Sequence, residues 1–307
     1  MLYRQFATQE EIDREYDVEA MVPDFRPYAA HFIDGSAEAR ASLDARLDLR
    51  FGPTRDEYLD FFPAARPGAP LLVFIHGGYW RMLSAKEFSL VARGPVEMGI
   101  NVAVTNYSLC PKVTIAEITR QSRAAIAWLH RHAPELGIDA GRIHVAGHSA
   151  GGQQVGMLMA TDWQGEYGLP ADLIKGGLAI SGLFDLEPLR HSWLQPRLQL
   201  DWATIRGQSP IYNLPTRAAP LTVTLGGDES AEFWRQSRSY LEAWTAAGHS
   251  GRLVDQPGCN HFTAIYGFED AASPLCRMVR DMVGDIEVPR RPRMGRPPVF
   301  PTFGPVA

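Results

Sequence analysis

Ser149 lies in Gly147-His148-Ser149-Ala150-Gly151, a serine flanked by glycines at the spacing of a sharp strand-to-helix turn. A hydroxyl on such a turn stands above the sheet edge with a helix N-terminus aimed at it, and can serve as a nucleophile. The glycines have a steric reason, because side chains at 147 and 151 would collide with the neighbouring strand and helix. The pattern recurs by chance in many chains. Its weight therefore rests on whether a base, an acid and oxyanion donors follow in a workable order.

The base is expected at His261, in Gly258-Cys259-Asn260-His261-Phe262, on a loop after the last strand and downstream of both serine and acid. Position rather than residue type selects it. His130 and His132 fit a helix surface, and His148 is the variable residue of the serine turn. The acid belongs to Gly226-Gly227-Asp228-Glu229-Ser230, where two adjacent carboxylates compete. Counting three residues from the turn glycine Gly226 gives Glu229, whereas residue type alone gives Asp228, the alternative acid. One of them should hold the imidazole tautomer and stabilise the imidazolium. Oxyanion donors are expected from the Ala150 N–H and from His76-Gly77-Gly78-Tyr79-Trp80, with Gly78 and Tyr79 as its donors. His76 reads as a residue that shapes this loop. Tyr79 and Trp80 read as a substrate-binding aromatic wall, with core packing as the competing role.

These residues need a scaffold, and the chain has the periodicity for one. Leu71-Leu72-Val73-Phe74-Ile75, Val102-Ala103-Val104-Thr105 and Ile143-His144-Val145-Ala146 are short apolar runs suited to strands buried on both faces. Further strands are expected at 176–181, 221–225 and 252–254. Helices are expected near 88–98, 114–132, 155–160, 231–247 and 274–283. Strands alternating with helices give a mostly parallel, doubly wound α/β sheet. Residues 47–52 and 57–62, separated by Gly52-Pro53-Thr54, read as an antiparallel hairpin at one edge. Residues 1–40 are polar and mixed, with a capping box at Thr8-Gln9-Glu10-Glu11. Residues 182–217, rich in proline and tryptophan, read as a small cap over the site or a pair of surface helices. One domain is expected over 1–287. The tail 288–307 holds Arg290, Arg291, Arg293 and Arg296 among six prolines. It reads as a solvated extension or as an arm packed on the partner in a homodimer.

The bulk numbers narrow the function classes. A net charge of −5 over 307 residues offers no basic field for nucleic acid or an anionic membrane. No apolar run approaches the roughly 20 residues a membrane span needs. Met1 to Phe6 hold no apolar core of signal-peptide length, and Cys110, Cys259 and Cys276 form no C-x-x-C pair. A cytoplasmic enzyme acting on a small molecule is the expectation.

With these pieces together, the sequence resembles the α/β-hydrolase superfamily, in the branch of kynurenine formamidase (arylformamidase) and hormone-sensitive-lipase-like esterases. His76-Gly77-Gly78-Tyr79-Trp80 is similar to the formamidase form of the oxyanion loop. Asn106-Tyr107-Ser108-Leu109-Cys110-Pro111 resembles the tyrosine loop after the next strand. Glu229-Ser230-Ala231-Glu232-Phe233 resembles the acid segment Asp-Ser-Pro-Glu-Phe, which places Glu229 on the catalytic aspartate. Two departures stand out: Glu for Asp at 229, and Arg81 where a glutamine often follows the Tyr-Trp pair. The resemblance implies an α/β-hydrolase fold and hydrolysis of an N-formyl amide or small ester through an acyl-enzyme. It implies the triad Ser149, Glu229 and His261 and requires neither metal nor organic cofactor. General short-chain ester hydrolysis, and cleavage of another amide in heterocycle breakdown, are the neighbouring expectations. A non-catalytic receptor on this fold typically lacks a triad member, and here all three residue types are present.

Overall fold

A computed structural model describes residues 1–285, so the expected tail 288–307 lies outside the described residues. Eight strands form one sheet: β1 (Arg46–Arg50), β2 (Tyr58–Phe62), β3 (Ala69–Ile75), β4 (Asn101–Thr105), β5 (Ile138–His148), β6 (Ile174–Ile180), β7 (Leu221–Gly226) and β8 (Gly251–Gln256). Their spatial order is β1-β2-β4-β3-β5-β6-β7-β8. β1 pairs antiparallel with β2 and β2 with β4, while β4 through β8 run parallel. This is the doubly wound sheet with an edge hairpin that the sequence pattern predicts.

The apolar runs sit where their composition sends them. Every residue of β3 and β4 is buried, as expected for strands covered by helices on both faces. Helix Ile115–Arg131 starts at Thr114, whose hydroxyl accepts the Glu117 N–H, and buries Ile115, Ile118, Ala125, Ile126 and Leu129. Helix Pro274–Val283 opens with its proline in the first turn, where the missing N–H costs nothing. The helix expected near 88–98 is shorter. Residues Ser89–Ala92 form a 3-10 turn and only Arg93–Glu97 is α-helical. Pro95 is compatible with the first helical turn but not the interior, so a regular helix cannot run through it from Phe88.

Residues 1–40, read as polar and mixed, fall largely in two helices. Gln9–Tyr16 carries the expected capping box, with the Glu11 N–H donating to Thr8 Oγ1 at 3.4 Å and the Thr8 N–H to Glu11 Oε2 at 3.3 Å. Arg26–Ser42 follows. Together they form an N-terminal strap across the C-terminal end of the parallel strands. Buried polar contacts hold it there. The Tyr16 hydroxyl donates to Glu232 Oε2 at 2.7 Å and accepts from Gln236 Nε2 at 3.0 Å, and Tyr3 donates to Asp185 Oδ2 at 2.9 Å. Among the described residues, no helix is long and apolar enough to cross a membrane.

Candidate active site

Each functional side chain follows the C-terminal end of a parallel strand, where open α/β sheets place their ligands. β5 ends at His148 and the helix Ala150–Met159 begins at once, leaving Ser149 alone at the turn. Its backbone has φ 57° and ψ −116°, a combination that non-glycine residues adopt only when their surroundings enforce it. The enforcement is steric. A Cβ on Gly151 would overlap the Ile75 carbonyl, and one on Gly147 would overlap the Gly151 carbonyl. The two glycines thus let the elbow helix seat directly on β3 and β5. The Ser149 N–H is held by the Ile180 carbonyl at 2.8 Å.

His261 and Glu229 are joined. His261 Nδ1 donates to Glu229 Oε2 at 2.7 Å, and both residues are buried, at 5% and 7% exposure. The other carboxylate oxygen accepts from Ser181 Oγ at 2.5 Å and from the Gly226 N–H at 2.7 Å. Three donors therefore fix the carboxylate, one of them from its own turn. That turn closes as the Glu229 N–H donates to the Gly226 carbonyl at 3.2 Å. Asp228 is exposed and its N–H goes to the Cys259 carbonyl at 3.0 Å. The extra methylene of glutamate lets the carboxylate fold back onto Gly226 while still reaching the imidazole. Asp228 and Glu229 both line a small cavity of about 160 Å³ that His261 also lines, but the hydrogen bond to His261 belongs to Glu229.

The loop after β3 turns through three consecutive residues of positive φ: Gly78 (107°), Tyr79 (48°) and Trp80 (56°). Among the described residues, no acceptor is bonded to the N–H groups of Gly78, Tyr79 or Ala150. The Ala150 N–H belongs to a first helical turn, whose donors lack helical partners. The loop is anchored at its base by His76, fully buried and stacked on Tyr107 with centroids 4.1 Å apart. Its Nδ1 donates to the Gly77 carbonyl at 2.7 Å. Burial pushes the His76 pKa down to about 4, so the ring is neutral at pH 7 and shapes the loop. The Tyr107 hydroxyl donates to the His76 carbonyl at 2.9 Å.

Ser149, His261, Gly78 and Tyr79 line one cavity of about 320 Å³, walled by Phe25, Phe32, Phe88, Trp193 and Phe262. This volume is at the small end of ligand pockets and suits a single-ring substrate. Trp80 is not part of the wall. Its side chain is fully buried, and its indole N–H donates to Gln153 Oε1 on the elbow helix at 3.0 Å. The wall expected at Trp80 is supplied instead by Trp193 and by the strap. Of residues 182–217, Trp193 alone reaches this cavity, and the larger part of the cover comes from residues 17–33.

Sequence reasoning missed three contributors. The strap carried a legible signal, since Phe25, Ala29, Phe32 and Ile33 recur at helical spacing. Ser181 had none, because only the register of β6 brings it to Glu229. His148, set aside as the variable elbow residue, donates from Nε2 to the His261 carbonyl at 2.8 Å. Burial, then the neighbouring His261, drives its pKa well below the ordinary histidine value, which keeps it neutral in that role.

A model of the alpha/beta hydrolase fold matches residues 72–265, and the chain belongs to that family. Kynurenine formamidase of Danio rerio is 26% identical over 84% of this chain and 89% of its own length. The esterase LipQ of Mycobacterium tuberculosis is 26% identical over 87% of this chain and 72% of its own. A crystal structure from Silicibacter sp. TM1040, provisionally described as a thioesterase, superposes with TM-score 0.76 at 30% identity, covering 87% of this chain and 98% of that one. The carboxylesterase EstE1 superposes with TM-score 0.65 at 17% identity over 85% of this chain and 98% of its own, which bears on the fold alone.

Proposed function

We propose that this chain is a serine hydrolase that removes a small acyl group, formyl foremost, from an aromatic amide or ester. The hydrogen bond between His261 and Glu229, in a site whose cavity also exposes Ser149 and the oxyanion loop, carries this reading. Ser149 Oγ attacks the acyl carbonyl as His261 takes its proton, and Glu229 steadies the imidazolium. The Gly78, Tyr79 and Ala150 N–H groups receive the oxyanion. His261 then protonates the leaving amine or alcohol. Water, deprotonated by His261, releases the acid and restores Ser149.

The aromatic lining supports an aryl leaving group, and the formamidase relatives support formyl as the acyl group. The esterase relatives support the neighbouring reading, a short-chain carboxylesterase. The three free cysteines suit the reducing conditions of the cytoplasm, where we place the enzyme. The deciding experiment measures kcat/KM for formanilide, acetanilide and the phenyl esters of formate, acetate and butyrate. A formamidase gives its highest value with the formyl compounds and measurable turnover of formanilide. Peak activity on the butyrate ester with no formanilide turnover rejects formamide hydrolysis. Loss of fluorophosphonate labelling in Ser149→Ala tests the nucleophile separately.

A further inference from the structure

We propose that Arg81 forms a carboxylate subsite in this cavity, so that the aromatic substrate carries an anionic carboxylate. The inference rests on the hydrolase reading for its consequence in turnover, but its observations concern binding alone.

Arg81 follows the oxyanion loop, and its backbone N–H donates to the Gly78 carbonyl at 3.0 Å. Its side chain lines the same cavity as Ser149, His261 and Trp193, and it is the sole Lys or Arg among the described lining residues. The guanidinium carbon lies 4.8 Å from the Trp193 ring centroid, a cation–π contact. Nε is buried and has no hydrogen-bond partner. Among the described residues, the guanidinium makes no ion pair either. Other half-buried arginines have oxygen partners for the guanidinium: Arg93, Arg123 and Arg235 pair with Glu269, Glu166 and Glu232, while Arg40, Arg142 and Arg190 bond main-chain carbonyls. A buried donor without a partner is uncommon in a folded protein and calls for an explanation. A ligand oxygen would satisfy it.

Three acids line the cavity, and none of them contacts Arg81. Glu87 is committed to capping Ser84, whose N–H it accepts at 2.8 Å. Asp17 accepts the Ala20 N–H at 3.2 Å, and Glu19 is exposed. The planar fork of a guanidinium matches a carboxylate in two parallel hydrogen bonds, and stacking on an indole holds the fork in one plane. A single cation among aromatic walls suits a planar monoanion better than a phosphate dianion, which would call for a second positive group. Phe25, Phe32 and Phe262 then take the ring of the substrate.

The test uses the full-length protein with Ser149→Ala, to remove turnover, and calorimetric titration with 3-phenylpropionate, 3-phenylpropanamide and 3-phenylpropylamine. The acid should bind at least about 10-fold tighter than the amide, the scale of a charge-assisted hydrogen bond. Adding Arg81→Gln should reduce that preference to less than about 2-fold, with amide affinity kept within about 3-fold as the folding control. Arg81→Lys should retain part of the preference. Equal affinity for acid and amide, tighter binding of the amine, no detectable binding of the acid, or a preference that survives Arg81→Gln overturns the proposal. Failure of the hydrolase reading would appear elsewhere, as no turnover of any of the five acyl compounds by the wild-type protein.

Discussion

The Tyr79 hydroxyl donates to the Tyr16 backbone carbonyl at 2.6 Å, joining the oxyanion loop to the N-terminal strap. The neighbouring Trp80 is joined in the opposite direction, to Gln153 on the elbow helix. Tyr79 and Trp80 both hold positive φ, which costs a non-glycine residue roughly 1–2 kcal/mol. Two side-chain bonds pulling from two elements fix a backbone that would otherwise relax and turn its N–H groups away. Tyr16 extends the link, because its own hydroxyl bonds Glu232 and Gln236 on the helix that follows the acid. The strap therefore ties the oxyanion loop to the acid segment as well as covering the cavity.

Tyr79→Phe tests that clamp. It deletes one hydrogen bond and leaves the ring in place. Stability should fall by about 1 kcal/mol in urea unfolding, the net worth of a typical bond. The kcat should fall further than stability suggests, about 10-fold, with KM within about 2-fold, because the loss is of oxyanion geometry rather than binding. A KM effect with unchanged kcat would assign Tyr79 to substrate contact alone.

The choice between adjacent carboxylates is open to direct measurement. Glu229→Gln removes the charge facing His261 Nδ1 and offers an amide that can stabilise the wrong tautomer. The kcat should drop about 10³- to 10⁴-fold, as triads do when the acid becomes an amide. Asp228→Asn should stay within about 2-fold, since Asp228 is exposed and its carboxylate makes no bond to His261. Ser181→Ala, which leaves Glu229 Oε1 with the Gly226 N–H alone, should fall between the two. The reverse ranking of the first two variants would return the role to Asp228.

The central sheet was legible because buried parallel strands are written as continuous apolar runs, as at Leu71 to Ile75. The elbow was legible because its glycines have a local steric purpose. Glu229 was reachable by counting from Gly226, since the carboxylate folds back on its own turn. What stayed hidden depends on contacts between distant segments. Ser181 reaches Glu229 only because β6 and β7 pair in register, with the Ser181 N–H on the Thr224 carbonyl at 2.7 Å. Trp80 and Tyr79 are sequence neighbours whose successive positive φ values carry one to the core and the other to the cavity wall. The strap reads as polar on average, and its placement over the site comes from buried polar pairs some 180 to 220 residues apart in sequence.

Gly151→Ala should be severe. The added Cβ would strike the Ile75 and His76 carbonyls, which are backbone atoms of a central strand and of the oxyanion loop. Overpacking of this kind costs about 1–3 kcal/mol or more. Thermal unfolding should report the loss, and fluorophosphonate labelling of Ser149 should slow even in the fraction that remains folded. Gly168→Ala, at an open turn with no atom within 4 Å of the new Cβ but with φ 62°, should cost about 1 kcal/mol and leave labelling unchanged.

Acid should weaken the fold through its buried histidines. Burial is the leading cause that pushes the pKa of both His76 and His144 down to about 4. In the unfolded chain they would titrate near 6.5. Between pH 6.5 and 4 the unfolded chain binds protons that the folded chain refuses, so stability is complete above that window and falls as pH drops through it. Each histidine contributes a slope of about 1.4 kcal/mol per pH unit, or about 3 kcal/mol across the window. His144→Leu isolates one of them, because His144 Nδ1 is buried without a partner and the ring sits mid-strand on β5. The variant should match the wild type within about 1 kcal/mol at pH 7 and lose stability less steeply below pH 6.5. Urea unfolding at half-unit steps from pH 7.5 to 4.5 measures the difference, and parallel curves for the two proteins would remove His144 from the account.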